Sequence, residues 1–129
     1  MIPRAAVREI TAKAVKSIIP EKRIFSSFNL KNPLGTAPFI VVKWGNVDPI
    51  FGKHGKLTFE LWIYDPQPTY VRIDKLSDLC IKEFMKVEQY IGKDNVRLPL
   101  ALFNGLSDDL FDDVFECTLK RISFLIPNS

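Results

Sequence analysis

Few residues in this chain have chemistry to offer. The single histidine, His54, stands between Lys53 and Gly55, and no acid or nucleophile lies near it in sequence to complete a catalytic triad. The densest carboxylate group is Asp108, Asp109, Asp112 and Asp113, with Glu116 just beyond. Hard divalent cations take carboxylate oxygens, but a calcium loop alternates its acids and punctuates them with glycine, whereas Leu110 and Phe111 split this group. A metal site is therefore not expected here. Gly35, Gly45, Gly52 and Gly55 form neither a GxGxxG nor a GxxxxGK[ST] pattern, so no phosphate cradle is indicated. Cys80 and Cys117 fall among apolar residues with no CxxC spacing and no histidine alongside, the pattern of two reduced core thiols. The expectation is a protein that is not an enzyme and that uses no cofactor and no metal.

The elements that must position these residues belong to one domain of 129 residues, long enough to bury a core without staples. Hydrophobic residues make 47% of the chain and charged residues 26%, the balance of a globular protein and not of a disordered one. The longest apolar run, Phe39 to Val42, is far short of a bilayer span, and the scattered charges from Arg4 to Glu9 do not make a signal peptide. No membrane partner is expected.

Net charge is +3, mild for a dedicated nucleic-acid binder, and no helix-turn-helix spacing or RNA-binding aromatic motif accompanies it. The basic surplus is confined to the first half. Up to Lys56 the chain holds Arg4, Arg8, Lys13, Lys16, Lys22, Arg23, Lys31, Lys43, Lys53 and Lys56 against Glu9, Glu21 and Asp48. The acidic cluster from Asp108 to Glu116 lies in the second half, so the two halves carry complementary charge suited to self-association.

Val7, Ile10, Ala14 and Ile18 recur at helical spacing, which predicts a helix from Pro3 to Ile19 ended by Pro20. Arg23 to Phe28 reads as a short strand, and Asn29 to Thr36 as a loop. Phe39 to Trp44 is apolar on both faces until Lys43, as in a strand at the middle of a sheet. Gly45 to Gly55 is too long for a tight hairpin and reads as a projecting arm, with Ile50 and Phe51 at its tip. Lys56 to Tyr64 alternates strictly: Leu57, Phe59, Leu61 and Ile63 face the core, and Trp62 and Tyr64 beside Glu60 face either a neighbouring subunit or a loop of the same chain. Ile73, Leu76, Cys80, Phe84, Val87 and Ile91 mark a long amphipathic helix from Val71 to Ile91, stopped by Gly92. Val96 to Phe103 reads as a strand with Pro99 at an edge or bulge, and Val114 to Ile126 as a long final strand. The sum is an α+β fold: a mixed, mainly antiparallel sheet of four to five strands with two helices packed on one face.

The block Phe39-Ile40-Val41-Val42-Lys43-Trp44-Gly45, the second arm Leu61-Trp62-Ile63-Tyr64, the helix opening Tyr70-Val71-Arg72-Ile73-Asp74, and Leu106-Ser107-Asp108-Asp109-Leu110-Phe111-Asp112 before a long last strand together resemble the tail terminator proteins of long-tailed bacteriophages. The likeness spans nearly the whole chain in element order. It implies a tail-tube-like fold and a structural virion protein: a homo-hexameric ring, monomeric before assembly in some cases, that caps the tail tube and ends its polymerisation. Its partners would be itself, the tail tube protein and the head-tail connector, with DNA only in passage through the ring. Its place would be the head-proximal end of the virion tail, assembled in the host cytoplasm. The candidate subunit or tube contacts under this resemblance are Arg4, Arg8, Ile50, Phe51, Lys53, Trp62, Tyr64, Asp108, Asp109, Asp112 and Asp113. Arg8 facing Asp109 of the next subunit is one expected pairing. A head-completion or neck connector protein shares this logic, and a small intracellular regulatory or ligand-binding α+β domain is a further alternative; an enzyme using Asp108, Asp109 or His54 is the remaining one.

Overall fold

The long strand Leu57–Asp65 is the axis of the molecule. In the computed structural model, residues 4–25, 37–44, 57–86, 90–91, 97–98 and 102–126 are described. Helix α1 (Arg4–Val15) is followed by a 3-10 turn (Glu21–Arg23) and strands β1 (Ile24–Phe25), β2 (Phe39–Trp44) and β3 (Leu57–Asp65). Helix α2 (Val71–Lys86) then leads to β4 (Tyr90–Ile91), β5 (Arg97–Leu98), β6 (Leu102–Leu106), β7 (Leu110–Asp112) and β8 (Cys117–Ile126). The main sheet runs β1-β2-β3-β8-β6, with β7 also on β8. Among the described residues only the β1–β2 pair is parallel; β4 and β5 form a separate two-stranded ladder. The α+β class holds, and among the described residues the sheet has six strands where the sequence suggested four to five.

Period-two alternation in β3 divides the protein into two layers of side chains. Phe59, Leu61 and Ile63 meet Ile40 and Val42 of β2, Ile122 and Phe124 of β8, and the apolar stripes of both helices: Val7, Ile10 and Val15 of α1, and Ile73, Leu76, Cys80 and Phe84 of α2. Three rings lock its centre, with Phe59 5.1 Å from Phe124, Phe124 4.7 Å from Phe84 and Phe84 5.5 Å from Phe59. Each such buried side chain contributes about 1.5–3 kcal/mol. Both helices therefore lie on one face, as their spacing requires. The other face carries a second buried cluster of Phe39, Val41, Tyr64, Cys117 and Leu119, joined by Phe25, Trp62, Leu110 and Phe115.

Two polar joints fix the helices. Arg8 on α1 donates to the carbonyls of Glu21 and Ile24 and to Glu21 Oε1, which ties the helix to the turn before β1. Asp65, fully buried at the end of β3, accepts from Arg72 Nε at 2.8 Å and from Arg72 Nη2, and takes the Gln67 backbone N–H at 3.0 Å. Thr118 Oγ1 donates to the Asp65 carbonyl at 3.0 Å, so one residue joins β3, β8 and the start of α2. The hydrogen bond that it donates to Asp65 holds the Arg72 guanidinium above its ordinary pKa against the opposing pull of burial.

Candidate functional site

The sheet's last edge is built from one interrupted strand. Strands β6 and β7 lie end to end against β8, and between the Leu106–Ile122 and Leu110–Leu119 pairs the three residues Ser107, Asp108 and Asp109 stand opposite only Lys120 and Arg121. This is a bulge, and two hydrogen bonds still bridge it. Ser107 N–H donates to the Arg121 carbonyl at 2.9 Å, and Arg121 N–H donates to Ser107 Oγ at 2.9 Å, so a hydroxyl stands in for a strand carbonyl. A second register shift falls between Phe103 and Gly105.

The bulge directs Asp109 toward the helix side. There Lys120 Nζ, on a residue that is nearly buried, lies 2.7 Å from Asp109 Oδ1 and 3.3 Å from Asp74 Oδ1 on α2. Burial pulls the Lys120 pKa down, but hydrogen bonds and charge from Asp109 and Asp74 outweigh it and leave the amine above its ordinary value. Tyr70 Oη donates to the Leu110 carbonyl at 2.8 Å, and the Phe103 N–H donates to Met85 Sδ at 3.4 Å. Both ends of α2 are thus fastened to the edge strand.

Opposite residues of an antiparallel pair share a face, so Phe103, Leu106 and Phe111, which face Phe124, Ile122 and Thr118, lie on the helix side. There they remain uncovered at 40%, 43% and 58% exposure, with Met85 of α2 at 49%. Leu102 is exposed on the same edge, and Val114 in the turn beyond β7 is 84% exposed. That turn is closed by Asp112 Oδ1, which accepts the Phe115 N–H at 2.8 Å, and by Glu116 at a φ of 54°, a left-handed conformation uncommon outside glycine. An open sheet edge with exposed apolar side chains is a template for another chain.

The residues singled out from sequence are placed unevenly. Ile50, Phe51, Lys53 and His54 lie outside the described residues, and Arg4 begins α1. Arg8 pairs within its own chain with Glu21 and Ile24, and Asp109 with Lys120, so each member of the expected Arg8–Asp109 pair already has a partner inside the subunit. Tyr64 is not a partner contact: it is fully buried, stacked on Phe39 with ring centroids 4.7 Å apart and edge-on to Phe115 at 5.4 Å. Desolvation, with the Asp112 charge behind it, raises its pKa. Trp62 is half-buried between two cations, Lys43 Nζ at 4.1 Å and Arg121 Cζ at 4.0 Å from the ring, and its Nε1–H donates to Glu60 Oε1 at 2.7 Å.

The four aspartates do not converge. Asp109 faces Lys120, Asp112 closes the turn, and Asp108 and Asp113 are exposed. Among the described residues no group of three His, Cys, Asp or Glu side chains could hold a metal ion. Cys80 and Cys117 are both buried free thiols. Burial pushes the Cys80 thiol up to about 12 and Cys117 to about 11, the latter helped by the charges of Asp112 and Asp65, so neither is a thiolate nucleophile at neutral pH. No helix among the described residues is long and apolar enough to cross a membrane.

Sequence reading missed β7 and the burial of Lys120. Leu110 and Phe111 between two acid pairs were the available signal: one residue turns to the outer cluster and the next to the helix side, as in a strand. Compared with known proteins, the chain matches no protein-family model and no curated protein.

Proposed function

We propose that this chain is a structural subunit of a phage tail of the tail terminator kind, which joins copies of itself into a ring that caps the tail tube and offers a surface to the head-tail connector. The reading starts from the resemblance of the Phe39–Gly45, Leu61–Tyr64 and Leu106–Asp112 blocks. One observation supports it most: the sheet ends on an apolar, uncovered edge in β6 and β7, bearing Leu102, Phe103, Leu106 and Phe111. A closed ring needs a heterologous contact, one surface of each subunit meeting a different surface of the next. This sheet has two unlike ends, the short parallel strand β1 and the long bulged line of β6 and β7. Capping then works by contact alone, and the DNA that passes through the ring needs no base recognition.

Purified full chain mixed with tail tubes and viewed by negative-stain imaging tests the proposal. Density at one tube end, with tube growth halted, is the expected result. Binding to isolated connector rings with indifference to tubes would reassign the chain to the neck, and indifference to both would remove the virion reading.

A further inference from the structure

Resting on that reading, we infer that the occupant of the β6–β7 edge is the basic corner of a second copy of this chain, formed by the end of α1 and the turn before β1. The edge segment from Leu102 to Glu116 contains five acidic residues, Asp108, Asp109, Asp112, Asp113 and Glu116, and no basic one. Asp109 and Asp112 are engaged inside the subunit, which leaves Asp108, Asp113 and Glu116 as exposed charges beside the uncovered Leu106, Phe111 and Val114.

The segment from Lys13 to Arg23 runs from the end of α1, packed beside α2, into β1 at the far end of the sheet, and it carries Lys13, Lys16, Lys22 and Arg23 against Glu21 alone. Lys13 lies 3.3 Å from Glu83, Glu21 is held by Arg8, and Arg23 donates to the carbonyls of Ala37 and Pro38. Lys16 and Lys22 are exposed, and no salt bridge joins them to another described residue. Lys22 sits two residues before β1, the terminal strand of the sheet path, with β2, β3 and β8 between it and the acidic edge. Lys22 therefore cannot reach the acidic edge of its own subunit. The acidic and basic corners can meet those of neighbouring subunits, head to tail, with the apolar stripe supplying contact and the charges fixing direction. A symmetric pairing of two β6–β7 edges would instead bring Asp108, Asp113 and Glu116 of both copies together.

The test is a pair of charge-reversed full-length variants, Lys16→Glu with Lys22→Glu and Asp108→Lys with Asp113→Lys, followed by sedimentation at low ionic strength. Wild type should associate, each variant alone should weaken association at least about tenfold, and an equimolar mixture of the two should restore it. Circular dichroism confirms that each variant is folded. Failure of the mixture to recover overturns the pairing while leaving the capping proposal standing. A wild-type chain that stays monomeric yet caps tubes, and loses capping on Leu106→Ser with Phe111→Ser, assigns the edge to the tube protein and also overturns it. A chain that neither associates nor caps removes both readings.

Discussion

Lys120 Nζ lies 2.7 Å from Asp109 Oδ1 on the bulge between β6 and β7, and this contact sets how the free edge of the sheet is presented. A nearly buried ammonium needs carboxylate partners, and it takes one from the edge and one, Asp74, from α2. The edge strand is held against the helix by that shared cation and by the Tyr70 hydroxyl on the Leu110 carbonyl.

Replacing Lys120 with Met should lower stability by about 1–2 kcal/mol, because both carboxylates are half-exposed and recover water when the amine is lost. Urea denaturation measures it. Amide exchange should rise selectively from Ser107 to Asp112, and uniform exchange across the sheet would count against a latch role. The Lys120 pKa is raised on folding, so its contribution is complete below its unfolded value of 10.5 and disappears as pH climbs through the higher folded value.

Cys80 gives a second pH dependence. Its folded value of about 12 lies above the ordinary 9.0, so the unfolded chain releases the proton first; the contribution is whole below pH 9 and falls as pH rises toward the folded value. Wild type should therefore lose on the order of 2 kcal/mol more than Cys80→Ala between pH 9 and about pH 11. Denaturant midpoints of both proteins across that range check this, and parallel curves would contradict it.

Arg72→Ala leaves the fully buried Asp65 carboxylate without its counter-charge and should destabilise by about 3 kcal/mol. Arg72→Lys should recover little, since an ammonium cannot reproduce the two-point contact that the guanidinium makes through Nε and Nη2. A lysine variant with wild-type stability would show that the fork geometry is immaterial.

The outer aromatics should separate by role. Phe39→Ala removes a ring stacked on Tyr64 and edge-on to Phe115 and Phe25, at a cost of about 3–4 kcal/mol. Trp62→Ala, at a half-exposed site, should cost about 1–2 kcal/mol and leave self-association unchanged. Loss of association in a folded Trp62 variant would return the interface to that face of the sheet.

Strong periodicity made the framework legible. Leu57 to Tyr64 declared both faces of β3, and the stripe Ile73, Leu76, Cys80, Phe84 declared α2, because a surface that must be half buried repeats its apolar residues at the pitch of its element. Boundaries were less visible. The final strand begins at Cys117, three residues after the expected Val114, because the Asp112 side chain closes a turn that apolar content alone does not reveal. The expected strand Val96 to Phe103 resolves into β5 and the start of β6. The site was legible only in part. Asp108 and Asp113 are exposed, but Tyr64, Arg8 and Asp109 drew partners distant in sequence, such as Phe39, Glu21 and Lys120, which a one-dimensional reading cannot pair.

The most direct test of the β6–β7 edge as an assembly surface is tube capping by the full chain carrying Leu106→Ser and Phe111→Ser. Both side chains are substantially exposed, so thermal unfolding should remain near wild type. Negative-stain imaging should then show tail tubes that lack end density and continue to grow in the presence of the folded variant. Tubes capped as by wild type would contradict the account.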